Sequence, residues 1–135
     1  MANEAVLKVE THLPINFTCS TKVTIEKGAI CKMTDPMTAV LADGSDDIVA
    51  GIAQSEKLAA ETSQDSVAIY RGGIFTVTCS GTVTVGDPVV TCANFPNYVS
   101  IAATNAEHIL GYMLESGTVG QTKLMELRPT TMQLA

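Results

Sequence analysis

FTCSTKVTI runs from Phe17 to Ile25, and sixty residues further on VTCSGTVTV runs from Val77 to Val85. A phrase stated twice in 135 residues points to duplication of one unit, and a repeat constrains architecture before any motif does. Slid by sixty places, residues 17–55 align with 77–115 without a gap. Eight positions are identical: Thr18/Thr78, Cys19/Cys79, Ser20/Ser80, Val23/Val83, Thr24/Thr84, Pro36/Pro96, Ala42/Ala102 and Gly51/Gly111. Ile25/Val85, Ile30/Val90, Leu41/Ile101, Asp47/Glu107 and Val49/Ile109 are conservative pairs. A three-residue deletion then brings Val67, Ile69 and Arg71 into line with Leu124, Glu126 and Arg128.

The doubled phrase and its surroundings read as strands. β-Branched and polar residues alternate in Thr21–Ile25, Ile74–Thr78 and Thr82–Val85, as a half-buried pleated surface requires. Turn signals punctuate them at Lys27-Gly28, Asp43-Gly44, Arg71-Gly72-Gly73, Gly86-Asp87-Pro88 and Phe95-Pro96-Asn97. Short strands at this spacing predict an all-β fold, a compact β-barrel-like domain of two quasi-repeated lobes with at most one short helix. Ser55–Glu61 carries good helix formers but is too short to stand alone, so it is expected to be a helical turn or an excursion loop. The predicted layout is an arm over 1–16, a barrel over 17–129 with units 17–72 and 77–129, and a tail over 130–135. In the arm, Ala5, Leu7 and Val9 mark one face of a strand with no partner inside either unit. Such an edge must pair with its own barrel or with a neighbouring chain.

Composition narrows function. Only 4% of residues are aromatic and there is no Trp, which disfavours stacking platforms for bases or sugars. A net charge of −6 repels a phosphate backbone, so nucleic acid is not an expected partner. No apolar run approaches the roughly 18 residues of a membrane helix and no leader pattern opens the chain, so the expectation is a protein made in a cytoplasm without a membrane partner. Cys19, Cys31, Cys79 and Cys92 lack the close pairing of zinc ligands and are expected to be small buried hydrophobes. The six methionines are scattered, from Met1 to Met132, and read as core or rim filling.

Chemistry is sparse. His12 and His108 have no nucleophile motif beside them, and Asp43–Asp47 lacks the alternating spacing of a calcium loop and reads as a solvated turn. No glycine-rich phosphate cradle is present. The chain is expected not to be an enzyme and to need no cofactor. Lys32-Met33 between two strands bears a resemblance to the lysine hairpin of biotinyl or lipoyl carriers, the alternative reading, although Lys32 falls in a strand rather than at a tip.

Gly51-Ile-Ala53, a loop with Glu56-Lys57, Val67-Ala-Ile-Tyr-Arg71 and Gly73-Ile-Phe75 together resemble the head decoration, or capsid cement, proteins of tailed bacteriophages. Gly86-Asp-Pro-Val89, His108-Ile-Leu-Gly-Tyr-Met113 and Leu124-Met-Glu-Leu-Arg128 echo the pattern in the second half. The resemblance implies a β-barrel virion protein on the outer capsid surface that bridges major capsid subunits. It also implies self-association, as a homotrimer or a dimer. Contacts with the shell are expected from the arm, Asn3, Glu4, Ala5, Val6, Leu7, Lys8 and Val9, added as a strand to a coat subunit, and secondarily from the loop at Glu56, Lys57 and Leu58.

Overall fold

Alternating β-branched residues favour a pleated backbone, and in the computed structural model the chain folds into strands joined by short turns. The structure describes residues 3–93, 97–102 and 108–131. Among them are eleven strands and no helix: β1 (Val6–Val9), β2 (Ile15–Thr18), β3 (Ile30–Asp35), β4 (Thr38–Leu41), β5 (Val49–Ala53), β6 (Ser66–Tyr70), β7 (Gly73–Cys79), β8 (Pro88–Thr91), β9 (Tyr98–Ile101), β10 (His108–Met113) and β11 (Thr122–Thr131). Pro96, Glu107, Met1, Met132 and the rest of the expected tail beyond Thr131 lie outside the described residues.

Two rings follow one plan. The first closes in the order β2-β4-β3-β5-β6. The second runs β7-β11-β10-β8-β9 and closes where β9 returns to β7 in parallel, Thr78 beside Tyr98. The matching closure of the first ring is Thr18 beside Thr38, also parallel. The expected all-β, two-lobed barrel is therefore the fold.

Equivalent hydrogen bonds sharpen the repeat and correct its register. Ile25 and Lys57 exchange backbone bonds of 2.8 Å, and Val83 and Gly117 do the same at 2.9 and 3.0 Å. Ile25 thus corresponds to Val83, 58 places on, and Gly28 at φ 87° to Gly86 at φ 90°. The ungapped offset of sixty hides a surplus of two residues in the first ring, balanced by two extra residues between Thr91 and Tyr98. Thr21–Ile25 and Thr82–Val85, expected as strands, form turns with a single bridge residue each. Local side-chain bonds compete with a ladder there: Lys22 N–H donates to Ser20 Oγ, and Thr84 N–H to the Asp87 carboxylate.

The C-terminal part of the repeat carries a four-residue deletion, not three. Ile15 faces Ile69 across β2 and β6, while Phe75 faces Met125 across β7 and β11, so Ile69 corresponds to Met125. Both are fully buried, whereas the expected match, Glu126, lies on the other face. A slip of one residue inverts every side chain of a strand. Segment limits shift likewise, because Ile15 and Asn16 already belong to β2 and Thr130 pairs with Ile109 inside β11. Ser55–Glu61 is the excursion loop rather than a helical turn, since Lys57 holds extended backbone against Ile25.

Each ring fills its own interior. Phe17, Ile25, Cys31 and Ile69 centre the first core. The second joins Phe75, Val77, Leu110 and Met125 to Ile30, Val49, Ile52 and Tyr70 of the first ring, so one apolar cluster spans the joint. This explains β5, Val-Ala-Gly-Ile-Ala, which is buried at every position: one face lines its barrel and the other meets the neighbouring lobe. The Tyr70 and Phe75 rings pack edge to face at 5.7 Å. Polar links complete the joint, with Ile30 N–H donating to Asn97 Oδ1 at 3.0 Å, Asp47 N–H to Thr91 Oγ1 at 3.0 Å and His108 N–H to Asp46 Oδ1 at 2.9 Å. The Asp43–Asp47 turn is thus a brace between lobes, and not merely solvated.

Candidate interaction surface

The arm is docked on its own molecule. Val6, Leu7 and Val9 pair with Thr76, Phe75 and Ile74 of β7, with a register shift between Leu7 and Val9 that accommodates Lys8. Ala5 N–H donates to Gly28 O at 2.8 Å, so the arm also covers a turn of the first ring. Leu7 packs against the shared core, and the Tyr70 hydroxyl donates to Glu10 Oε2 at 2.6 Å. That bond to a carboxylate, reinforced by burial, raises the Tyr70 phenol above its ordinary pKa. Of the two outcomes open to an edge strand, pairing with its own barrel is the one realised.

One side of β1 remains open. β1 ends the sheet order, so its outer edge has no strand beside it among the described residues. Val6 and Val9 of β1 are 52% and 49% exposed. Between the arm, the Lys27-Gly28 turn, Gln54 and Tyr70 lies a cleft of about 420 Å³.

The expected contact residues separate into two kinds. Asn3, Val6, Lys8 and Val9 are exposed, Glu4 and Leu7 are partly covered, and Ala5 is buried against Gly28. In the loop, Glu56 and Leu58 are exposed, but Lys57 is 0% exposed. Its ammonium donates to Thr21 O at 2.6 Å and Val23 O at 2.9 Å, closing the end of the first barrel. Lys57 is therefore a fastening inside the lobe, and Ala5 and Lys57 drop out of any surface that meets a partner. The sequence could not separate Lys57 from its exposed neighbours, because a lysine is rarely buried.

Groups with chemical potential are dispersed. Cys19, Cys31 and Cys79 are buried free thiols and Cys92 is partly exposed. Burial pushes the Cys31 thiol up to about 12, with a smaller contribution from Cys19. Burial likewise raises Cys19 and Cys79. Neutral thiols in such settings behave as small hydrophobes. His12 bonds Thr11, and His108 sits at the joint beside Asp46, far apart in role. No group of three metal-binding side chains occurs among the described residues. Lys32 lies within β3 opposite Val40 and is ion-paired to Asp43 at 2.6 Å; the hairpin tip is Pro36-Met37.

Among the described residues these features define a pair of fused, closed five-stranded β-barrels with a bonded arm whose outer edge is open. No family model matches the sequence, and no curated protein matches it. A solved structure does share the fold: the crystal structure of the head fiber gp8.5 N base in bacteriophage phi29, with a TM-score of 0.55 and 15% sequence identity. The likeness covers 90% of this chain and 99% of that one, so both lobes take part in it.

Proposed function

We propose that this chain is a structural protein of a bacteriophage head, a decoration or cement protein on the outer surface that bridges neighbouring major capsid subunits. The observation that most supports the reading is the open edge of β1 with exposed Val6 and Val9, set on a two-barrel fold shared with a phage head fiber base. An edge of this kind recruits an extended strand, with main-chain hydrogen bonds supplying affinity. The charge of −6 suits an exterior position, away from packaged nucleic acid.

The mechanism would be a clamp without turnover. A subunit that binds only the expanded lattice stabilises that lattice by mass action. A standard interface buries roughly 800 Å² per partner, and self-association into trimers would multiply modest contacts into high avidity. Glu56 and Leu58 are the secondary contacts.

Co-sedimentation with expanded heads stripped of their decoration protein tests the reading. The wild-type chain should pellet with expanded shells and not with precursor shells. The exposed pair Val6→Lys and Val9→Lys should weaken binding about tenfold or more while the lobes stay folded. Wild-type protein left in the supernatant rejects the capsid reading, whereas an unaffected double variant rejects only the β1 edge.

A further inference from the structure

The same turn occurs once in each ring, and only one copy is covered. In the first ring, Glu26-Lys27-Gly28-Ala29 is closed by an Ala29 N–H bond to Glu26 O at 3.0 Å and tied down by Gly28 N–H to Ala53 O at 2.9 Å. In the second, Asp87 N–H bonds Thr84 O at 3.0 Å and Gly86 N–H bonds Met113 O at 2.7 Å. The backbones are equivalent down to the left-handed glycine. Gly28 is buried because Glu4 and Ala5 lie across it, so that a Cβ there would collide with the Ala5 backbone. Gly86 is exposed, a Cβ on it would meet nothing within 4 Å, and none of the described residues donates to its carbonyl.

The side chains around the uncovered turn have changed character. Val85, 60% exposed, stands where the first ring has Lys27, and Leu114, 40% exposed, stands where it has Gln54. At these two positions the covered turn carries polar residues and the bare one apolar residues, the reverse of what solvation alone would favour. Charge differs too, since Asp87 replaces Ala29 and Glu115 replaces Ser55.

We propose that the Thr84–Asp87 turn with Leu114 is a docking site for an extended segment of a partner protein, held over Gly86 as Ala5 is held over Gly28. The segment's backbone N–H bonds the Gly86 carbonyl, a small side chain passes over Gly86 as Ala5 passes over Gly28, and apolar flanks cover Val85 and Leu114. A basic residue beside them faces Asp87 and Glu115. The site is separate from the β1 edge and does not depend on the capsid reading.

The test titrates the isotope-labelled full chain with an acetylated peptide of its own residues 3–9, NEAVLKV, and with the same peptide carrying Glu4→Lys. Amide shifts are expected at Val85, Gly86 and Leu114, with the Lys peptide binding several-fold tighter at low salt. Val85→Asp and, separately, Leu114→Glu change exposed residues and should each weaken binding about tenfold. Absence of shifts at about 1 mM peptide, shifts confined to Gly28, or equal affinity in both variants overturns the proposal. Concentration-dependent shifts at Gly86 without peptide would assign the site to a second copy and overturn its assignment to a different protein with a basic flank.

Discussion

The first and second rings share a backbone far more closely than they share side chains. The bonds Ala42 N–H to Ile30 O and Ala102 N–H to Pro88 O, or Gln54 N–H to Ala68 O and Leu114 N–H to Leu124 O, recur at equivalent places, although only the Ala42/Ala102 donors are the same residue. Divergence concentrates where a lobe meets something else. Lys57, which fastens the longer loop of the first ring, is replaced by Gly117 in the second, where the Lys123 stem lies over the glycine. Met37 and Asn97 both adopt positive φ ahead of β4 and β9, but only Asn97 reaches across to the other lobe. A duplicated barrel therefore preserves its hydrogen-bond frame and varies its sequence at loops and at the joint.

The largest effects are expected at the paired glycines. A Cβ on Gly51 would strike the Tyr70 carbonyl, and one on Gly111 the Glu126 carbonyl. Gly51 also sits at φ 147°, which disfavours any L side chain. Gly51→Ala and Gly111→Ala should each cost more than about 3 kcal/mol in urea unfolding, with Gly51 the worse. A tolerated alanine at either place would break the equivalence of Gly51 in β5 and Gly111 in β10.

Smaller losses should distinguish the lobes. Lys57→Ala leaves two carbonyls at the barrel end without their donor and should cost about 1–3 kcal/mol, whereas the equivalent Gly117 has no such duty. Asn97→Ala orphans the buried Ile30 N–H and should cost a similar amount, about 1–3 kcal/mol. Met37→Gly, at the matching position, should instead stabilise by up to about 1 kcal/mol by relieving positive φ. Equal responses at 37 and 97 would remove Asn97 from the joint.

The smallest effect concerns an ion pair found only in the first ring, since Val90 occupies the place of Lys32 in the second. The hydrogen bond to Lys32 holds the Asp43 carboxyl below its usual range, so its contribution is present above about pH 4 and fades as pH falls through that lowered value. Asp43 in turn raises Lys32, whose contribution persists below about pH 10 and fades as pH rises through the raised value. Melting curves should show Asp43→Asn flattening a slight loss of stability on the acid side. The pair is exposed, so a large change would contradict its surface setting.

Alternation identified Ile74–Thr78 as strand but misread Thr21–Ile25 and Thr82–Val85, whereas the twofold build was legible in the shared Thr-Cys-Ser phrase, because Cys19 and Cys79 do take equivalent bonds to Asp65 O and Gln121 O. The register was only partly legible. Two compensating insertions leave an ungapped alignment intact, and identities at Val23/Val83 and Thr24/Thr84 then outscore the true match of Ile25 with Val83. Burial settles it, because Ile25 and Val83 point inward while Val23 and Val85 do not. The arm was recognisable as a strand, yet its partner was not, since β7 lies more than sixty residues away in the chain.

Local chemistry by itself determined that this chain would form short strands, turn at its glycines and repeat its unit. Those properties depend on neighbouring residues, which a sequence displays directly. Only the tertiary structure decided that the arm lies down on its own molecule, that Lys57 is buried, and that Gly28 is covered while Gly86 is bare. Each of these depends on which distant surfaces come together, and contacts between remote segments leave no periodicity to read.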